Sequence, residues 1–392
     1  MKTHTLHILT IAFALLVCPK GGLRAQERKA REVLSSVMSV FSPEAKMVSM
    51  EMPDGSTYEG MAKGRKPHGQ GVLTYANGDV YEGEFVKGKR EGYGVLTFRD
   101  GRKYEGQWFQ DQKHGYGILH FANNNRYEGL WYQDQMEGAG KMFYFTGDVY
   151  DGNWTKGKRN GQGRYTWKNG SYYQGNWNDD HKEGIGTFVW DDSSRYDGQW
   201  LQDERHGQGT FEYASGDKYV GAWKNGLQNG KGIYYFASGD RYEGDYQMGA
   251  RTGQGVCYYA DGSRYSGSFV DGAQSGRGIF TWPSGAEYDG EWKDDLRDGQ
   301  GNYRTQEGDV YEGGWSAGLF SGQGTLTLSD GSVFKGTFLE GMKEGQGVLI
   351  DKDGVRYEGP FVKDAKEGSF TVTSADGQDQ KTVIYQKDRE KR

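Results

Sequence analysis

The 392-residue chain has two cysteines, six prolines and no long apolar run outside one short stretch near its start. Each shortage removes a class of protein. Cys18 lies at the end of that stretch, so Cys257 alone remains beyond it and no disulfide framework can form. Proline at this level excludes a collagen-like or proline-rich fibre. Without about 18 consecutive apolar residues there is no candidate membrane-spanning helix. An excess of basic residues is also lacking, since 48 Lys and Arg face 54 Asp and Glu for a net charge of -6. Such a chain is a poor general ligand for nucleic acid, which selects net positive surface. Aliphatics are scarce enough to give a mean hydropathy of -0.88, a value that signals disorder in chains poor in rings.

Rings and glycines replace them. Aromatics make up 15% of the chain, with 28 Tyr, and there are 65 glycines. A tyrosine followed two residues later by glycine recurs every 23 residues from Tyr58 to Tyr357, fourteen times, with Phe334 as the one substituted anchor. Examples are Tyr81-Gly83, Tyr104-Gly106, Tyr150-Gly152 and Tyr288-Gly290. A fixed period of this length marks a repeat array, in which each unit packs only on its neighbours.

The columns show how one unit is built. Four places after the anchor stands a ring, as Trp108, Trp154, Trp292, Phe338 and Phe361, with Ala62 the exception in the first copy. Anchor, glycine and this ring share one face of a strand. Eleven and thirteen places on come two further glycines, such as Gly115 and Gly117, then an apolar column from Leu73 to Leu349 and a second ring column from Tyr75 to Trp282 that decays to Thr305, Leu328 and Asp351. Interleaved positions are polar or β-branched, as in Glu82, Glu84, Thr74 and Thr97. The pattern predicts two short antiparallel strands per unit, with rings lying over glycines on one face and the other face solvated. The expected fold is all-β: an elongated single-layer antiparallel meander of about fourteen β-hairpin repeats of 23 residues, occupying 50–370.

Tyr104-Glu105-Gly106-Gln107-Trp108 followed by His114-Gly115-Tyr116-Gly117 resembles the membrane occupation and recognition nexus (MORN) repeat. The resemblance covers about residues 53 to 370. It implies a β-hairpin scaffold that mediates protein contact or self-association, a proposed affinity for phospholipid surfaces, no cofactor and no catalysis. By the same analogy, association through terminal repeats would involve Phe334, Phe338, Tyr357 and Phe361.

Both ends fall outside the period. Lys2 precedes an apolar stretch from Leu6 to Val17, which has the length of a signal-peptide core, and cleavage after Ala25 would remove 1–25. The expected localisation is export, to the periplasm, the outer-membrane surface or the medium, and the leader with its array resembles bacterial envelope proteins. Lipidation at Cys18 is the less favoured route, because Val17 is large for a lipoprotein signal. Loss of 1–25 removes Lys2, Lys20 and Arg24 and no acid, so -6 becomes -9. In 26–49, Ala30, Val33, Leu34, Val37, Met38 and Phe41 have helical spacing, which predicts a capping helix over the first hairpin. In 371–392, a last hairpin is expected from Phe370 to Thr373 and Lys381 to Tyr385, then a solvated, disordered tail from Lys387.

Chemistry-bearing motifs fail on context. Gly83 to Lys89 and Gly152 to Lys158 imitate a phosphate-binding loop, yet Arg90 and Arg159 replace its Ser or Thr and no helix follows. His68, His114 and His206 share a turn-facing column with Glu91 and Asn160, so they form no metal set. Acids are not concentrated at any loop insertion, as a catalytic pair requires. The expected function is a non-enzymatic exported scaffold that binds protein partners or itself. The alternatives are a phospholipid-surface adaptor and an envelope-glycan binder that stacks sugars on the Trp column if that column is open.

Overall fold

The computed structural model describes residues 45–391. The leader, Cys18 and the helix expected at 27–41 lie outside them. Among the described residues every regular element is a strand. They fall into two units, one ending at His181 and the other beginning at Lys182. In each, strands pair antiparallel with their neighbours in sequence, as the period predicts.

One repeat shows the construction. Val80–Val86 carries the anchor, and Lys89–Thr97 returns. Their two-residue connection, Lys87 at φ 53 and Gly88 at φ 89, has both centres in the left-handed region, the hairpin geometry whose twist suits its strands. Tyr81 pairs with Leu96 and Gly83 with Gly94, after which the register slips so that Phe85 faces Arg90. Gly92 sits in this bulge at φ 68, which is why the column eleven places after the anchor is glycine. The return strand then pairs with the next anchor strand, Gly94 on Gly106 and Leu96 on Tyr104.

The paired glycines are the floor on which each anchor lies. A Cβ on Gly94 would sit 2.1 Å from the Tyr81 hydroxyl and one on Gly117 2.3 Å from that of Tyr104. The anchor hydroxyl donates to the backbone oxygen three residues on, Tyr104 to Gln107 at 2.9 Å, so its polar end is satisfied inside the core. Tyr58 to Tyr288 are fully buried anchors.

The ends modify the pattern. Lys46–Glu51, part of which was expected to belong to the cap, is a strand paired with Thr57–Lys63. The last hairpin forms as expected, Gly368–Thr373 on Gln380–Gln386, but the tail does not end there: Arg389–Glu390 pairs back onto Tyr385 and Gln386. The fourteenth copy departs from the repeat. Phe370 occupies the second glycine place and puts its ring over Gly359, where a Cβ would meet it at 2.6 Å. Tyr357 is displaced and donates to Asp351 Oδ2 at 3.2 Å. The regular array therefore comprises about thirteen units.

Candidate interaction surface

On the ring face two rows of rings run across the strands. The first is sealed. Trp108 stands edge-on between Tyr81 and Tyr104, at centroid distances of 5.4 and 5.1 Å and interplanar angles of 87°. Trp131 repeats this between Tyr104 and Tyr127, and Trp154 between Tyr127 and Tyr150. Each indole N–H donates to a glycine carbonyl of the preceding return strand, Trp108 to Gly94 at 3.2 Å. In unit 2, Trp200, Trp223, Trp292 and Trp315 are equally buried. Glycan stacking on the Trp column is thereby excluded, because these ring faces are already occupied.

A cation covers most of these indoles, nine places after an anchor. The Arg90 guanidinium lies 4.0 Å from the Trp108 ring centroid, Arg159 4.3 Å from Trp177, Arg205 4.4 Å from Trp223 and Arg297 4.2 Å from Trp315. Arg90 Nη2 also donates to the Asp111 carbonyl, and its backbone N–H to Asp111 Oδ1 at 2.8 Å. The cation therefore ties one repeat's return strand to the next repeat's hairpin turn. Burial lowers the Arg205 and Lys113 pKa values from their ordinary ones. This column was missed in the sequence, where Arg90 reads as the residue in place of the Ser or Thr of a phosphate-binding loop. Its regular nine-residue offset from the anchor was the available signal.

The second row is half open. It alternates the apolar column with the second ring column near the long turns. In unit 2, centroids follow from Phe188 to Trp190 at 4.3 Å, Phe211 at 5.1 Å and Tyr213 at 4.3 Å, then Tyr234 at 5.9 Å and Phe236 at 4.5 Å. Tyr259, Phe280 and Trp282 continue the pattern. Trp190, Tyr213, Phe236, Tyr259 and Trp282 are all half-exposed. In unit 1 the row runs beside an open groove of about 440 Å³, lined by Tyr75, Phe98, Arg90 and Asp79 among others.

The long turns border this row. Asp217 Oδ1 accepts the Ala237 N–H at 2.7 Å, and Oδ2 accepts the Tyr234 hydroxyl at 3.0 Å, so the carboxylate lies against the rings. The Ala237 bond leads in holding Asp217 below the ordinary carboxylate pKa. Asp240 repeats the backbone bond, to Ala260. On the opposite face the column of Glu91, Glu137 and Asn229 accepts turn N–H groups of the following repeat, Gln110 to Glu91 Oε2 at 2.9 Å. Any acceptor serves there, which explains why His68 shares that column.

The residues singled out as repeat-defining, Tyr81, Gly83, Tyr104, Gly106, Trp108, Gly115, Gly117, Tyr150, Gly152, Trp154, Tyr288, Gly290 and Trp292, come together in the sealed row and its floor or, for Gly115, in the bulge. Of the four residues proposed for association, Tyr357 is half-buried and the other three belong to the core. Phe334, Phe338 and Phe361 are at most 2% exposed, because the chain of edge-on rings continues through them. Among the described residues no group of three His, Cys, Asp or Glu is placed to hold a metal, and no helix is long and apolar enough to cross a membrane.

Antiparallel β-hairpins in which the anchor tyrosine lies over paired glycines, and the tryptophan four places on stands between two anchors, define a β-hairpin repeat protein. The MORN repeat family model matches thirteen consecutive segments, from 58–80 to 334–356, and the chain belongs to that family. Its repeats are those of a scaffold for protein or membrane interaction. No curated protein matches the chain. Among solved structures it is similar to the TCP10 domain of Danio rerio CPAP in complex with a peptide of Danio rerio STIL, at 11% identity over 68% of this chain and 97% of that one, with a TM-score of 0.25. It is also similar to a virginiamycin B lyase from Staphylococcus aureus, at 10% identity over 85% of this chain and 97% of that one, with a TM-score of 0.12. At these TM-scores the likenesses carry no argument about function.

Proposed function

We propose that this chain is a non-enzymatic scaffold, exported by its leader, that holds protein partners along the half-open ring row. The observation that supports this is the contrast between the two rows. One is closed by tyrosines and cations, whereas in the row beside it the second ring column stays half-buried, from Trp190 to Trp282 in unit 2, and is not covered by any loop insertion among the described residues. Aromatic side chains supply large contact area at low conformational-entropy cost, which suits them to interfaces. A surface repeated over successive hairpins also lets several weak contacts act together.

The test is crosslinked capture from the envelope of the cell of origin, comparing the native chain with Trp190→Ala/Trp282→Ala. A reproducible protein partner lost in the variant supports the scaffold. Capture that the variant leaves unchanged removes the ring row from the function. Vesicles of anionic lipid at low salt provide the control for a phospholipid adaptor, and the processed chain's net charge of -9 predicts no retention. Light scattering distinguishes monomer from homodimer. If the chain self-associates, the contact uses surface other than the buried Phe334, Phe338 and Phe361.

A further inference from the structure

We infer that the ring row of unit 2 binds a basic, proline-rich segment in the polyproline II conformation. This rests on the scaffold proposal and names the chemistry of the partner. Each repeat contributes two strands, so Trp190, Tyr213, Phe236, Tyr259 and Trp282 recur once per strand pair, at about 9.6 Å for strands about 4.8 Å apart. A polyproline II helix advances about 3.1 Å per residue with three residues per turn, or about 9.3 Å per turn. Every third residue of such a segment therefore meets the same point of successive repeats. An extended β-strand presents a side chain to one face about every 6.7 Å and falls out of step at once. Proline enters aromatic grooves with little entropy left to lose, because its backbone is already restricted.

Charge selects the basic form of that segment. The long turns 191–194, 214–217, 237–240 and 260–263 border the row and carry Asp191, Asp192, Asp217, Asp240 and Asp261 with no Lys or Arg. The Asp217 carboxylate reaches onto the ring face itself through its bond with the Tyr234 hydroxyl. On the far side of the row, Arg205 and Arg251 lie against Phe211 and Phe269 and donate to the Gly226 and Gly272 carbonyls, so their heads are tied inward. Unit 1 differs, since its turns include Arg99, Arg102 and Lys168. A neutral glycan would gain hydrogen bonds from the aspartates but no ion pairing. A cationic peptide gains ion pairing along one edge and cation-ring contact over the row.

The probe is a fluorescent peptide of about twelve residues, four turns of polyproline II, with proline at every third position and arginine at alternate intervening ones. Binding to the full chain is read by anisotropy. Micromolar affinity that weakens at least tenfold from low to high salt is expected. Asp192→Asn/Asp217→Asn/Asp240→Asn keeps the side-chain oxygens that accept backbone N–H groups and is expected to weaken binding tenfold or more. Trp190→Ala/Tyr213→Ala is expected to abolish it, with circular dichroism and hydrogen exchange checking the fold. A matched peptide with glycine for proline is expected to bind much more weakly.

Absence of binding to the folded native chain overturns the inference, as does affinity indifferent to the aspartates. Stronger binding of a neutral β-linked oligosaccharide overturns it in favour of a glycan. If envelope capture still yields a protein partner that depends on the ring row, the scaffold stands and only the partner chemistry falls.

Discussion

Substituting Gly117 by alanine tests the central packing device. The new Cβ would lie 2.3 Å from the Tyr104 hydroxyl and 2.6 Å from two ring carbons, so the ring must move. Forcing a methyl into such a space costs about 1–3 kcal/mol. Displacement also breaks the hydroxyl bond to Gln107, about 1 kcal/mol, and loosens the edge-on pairs with Trp108 and Trp131, about 0.5–1.5 kcal/mol each. A total loss of about 3–7 kcal/mol follows, confined to neighbouring repeats because coupling in such arrays is between nearest neighbours. Hydrogen exchange should therefore accelerate in Lys103–Phe109 and Gln112–His120 while distant hairpins stay protected. The decisive measurement is a double-mutant cycle with Tyr104→Leu, whose shorter side chain no longer lies over the glycine. Denaturant melts should give a coupling of about 1–3 kcal/mol, the second substitution relieving the first. Additive effects, within about 0.5 kcal/mol, would mean that Tyr104 does not rest on Gly117, and the account of the repeat would fail.

Other outcomes follow from the same geometry. Arg90→Met keeps an apolar stem and the backbone bond to Asp111 but loses the contact with Trp108 and the guanidinium bonds to Asp111, so thermal melts should show a loss of about 1–2 kcal/mol, whereas Arg99→Met at an exposed turn should change little. Phe370→Ala empties the ring position over Gly359 and should cost about 3–5 kcal/mol, with limited proteolysis releasing the last hairpin first. Phe338→Ala should destabilise its neighbourhood by a similar amount. A surface contact residue would instead leave the melt unchanged. Burial raises Tyr58, Tyr288 and Tyr311 to about 12, above the unfolded value of about 10. Their protonated forms favour the fold, so that stability is complete below about pH 10 and declines as pH rises towards 12; absorbance titration should show ionisation and unfolding together.

Much of the architecture is legible in the chain. Tyr81, Gly83 and Phe85 alternate as a strand, Gly92 and Gly94 mark the return, and the 23-residue spacing states that each hairpin meets only its neighbours. Phe370 to Tyr385 could be recognised as a final hairpin for the same reason. The exchange in the fourteenth copy was not legible, because an aromatic in a glycine column changes which ring covers which floor only when the two strands are paired. Nor was the role of Arg90, since it reaches Trp108 through a register slip and its partner Asp111 belongs to the next repeat.

Local chemistry in the sequence alone determines the period, the strands, the turns and the shared face, because alternation and glycine placement act within a few residues. Which rings are sealed was decided by the tertiary structure. Trp108 and Phe98 are both rings on the same face of neighbouring strands, yet Trp108 lies between two tyrosines beneath a cation, while Phe98 sits at a strand end beside a turn. Exposure depends on what the adjacent strands bring alongside, and that neighbourhood exists only once the hairpins have paired.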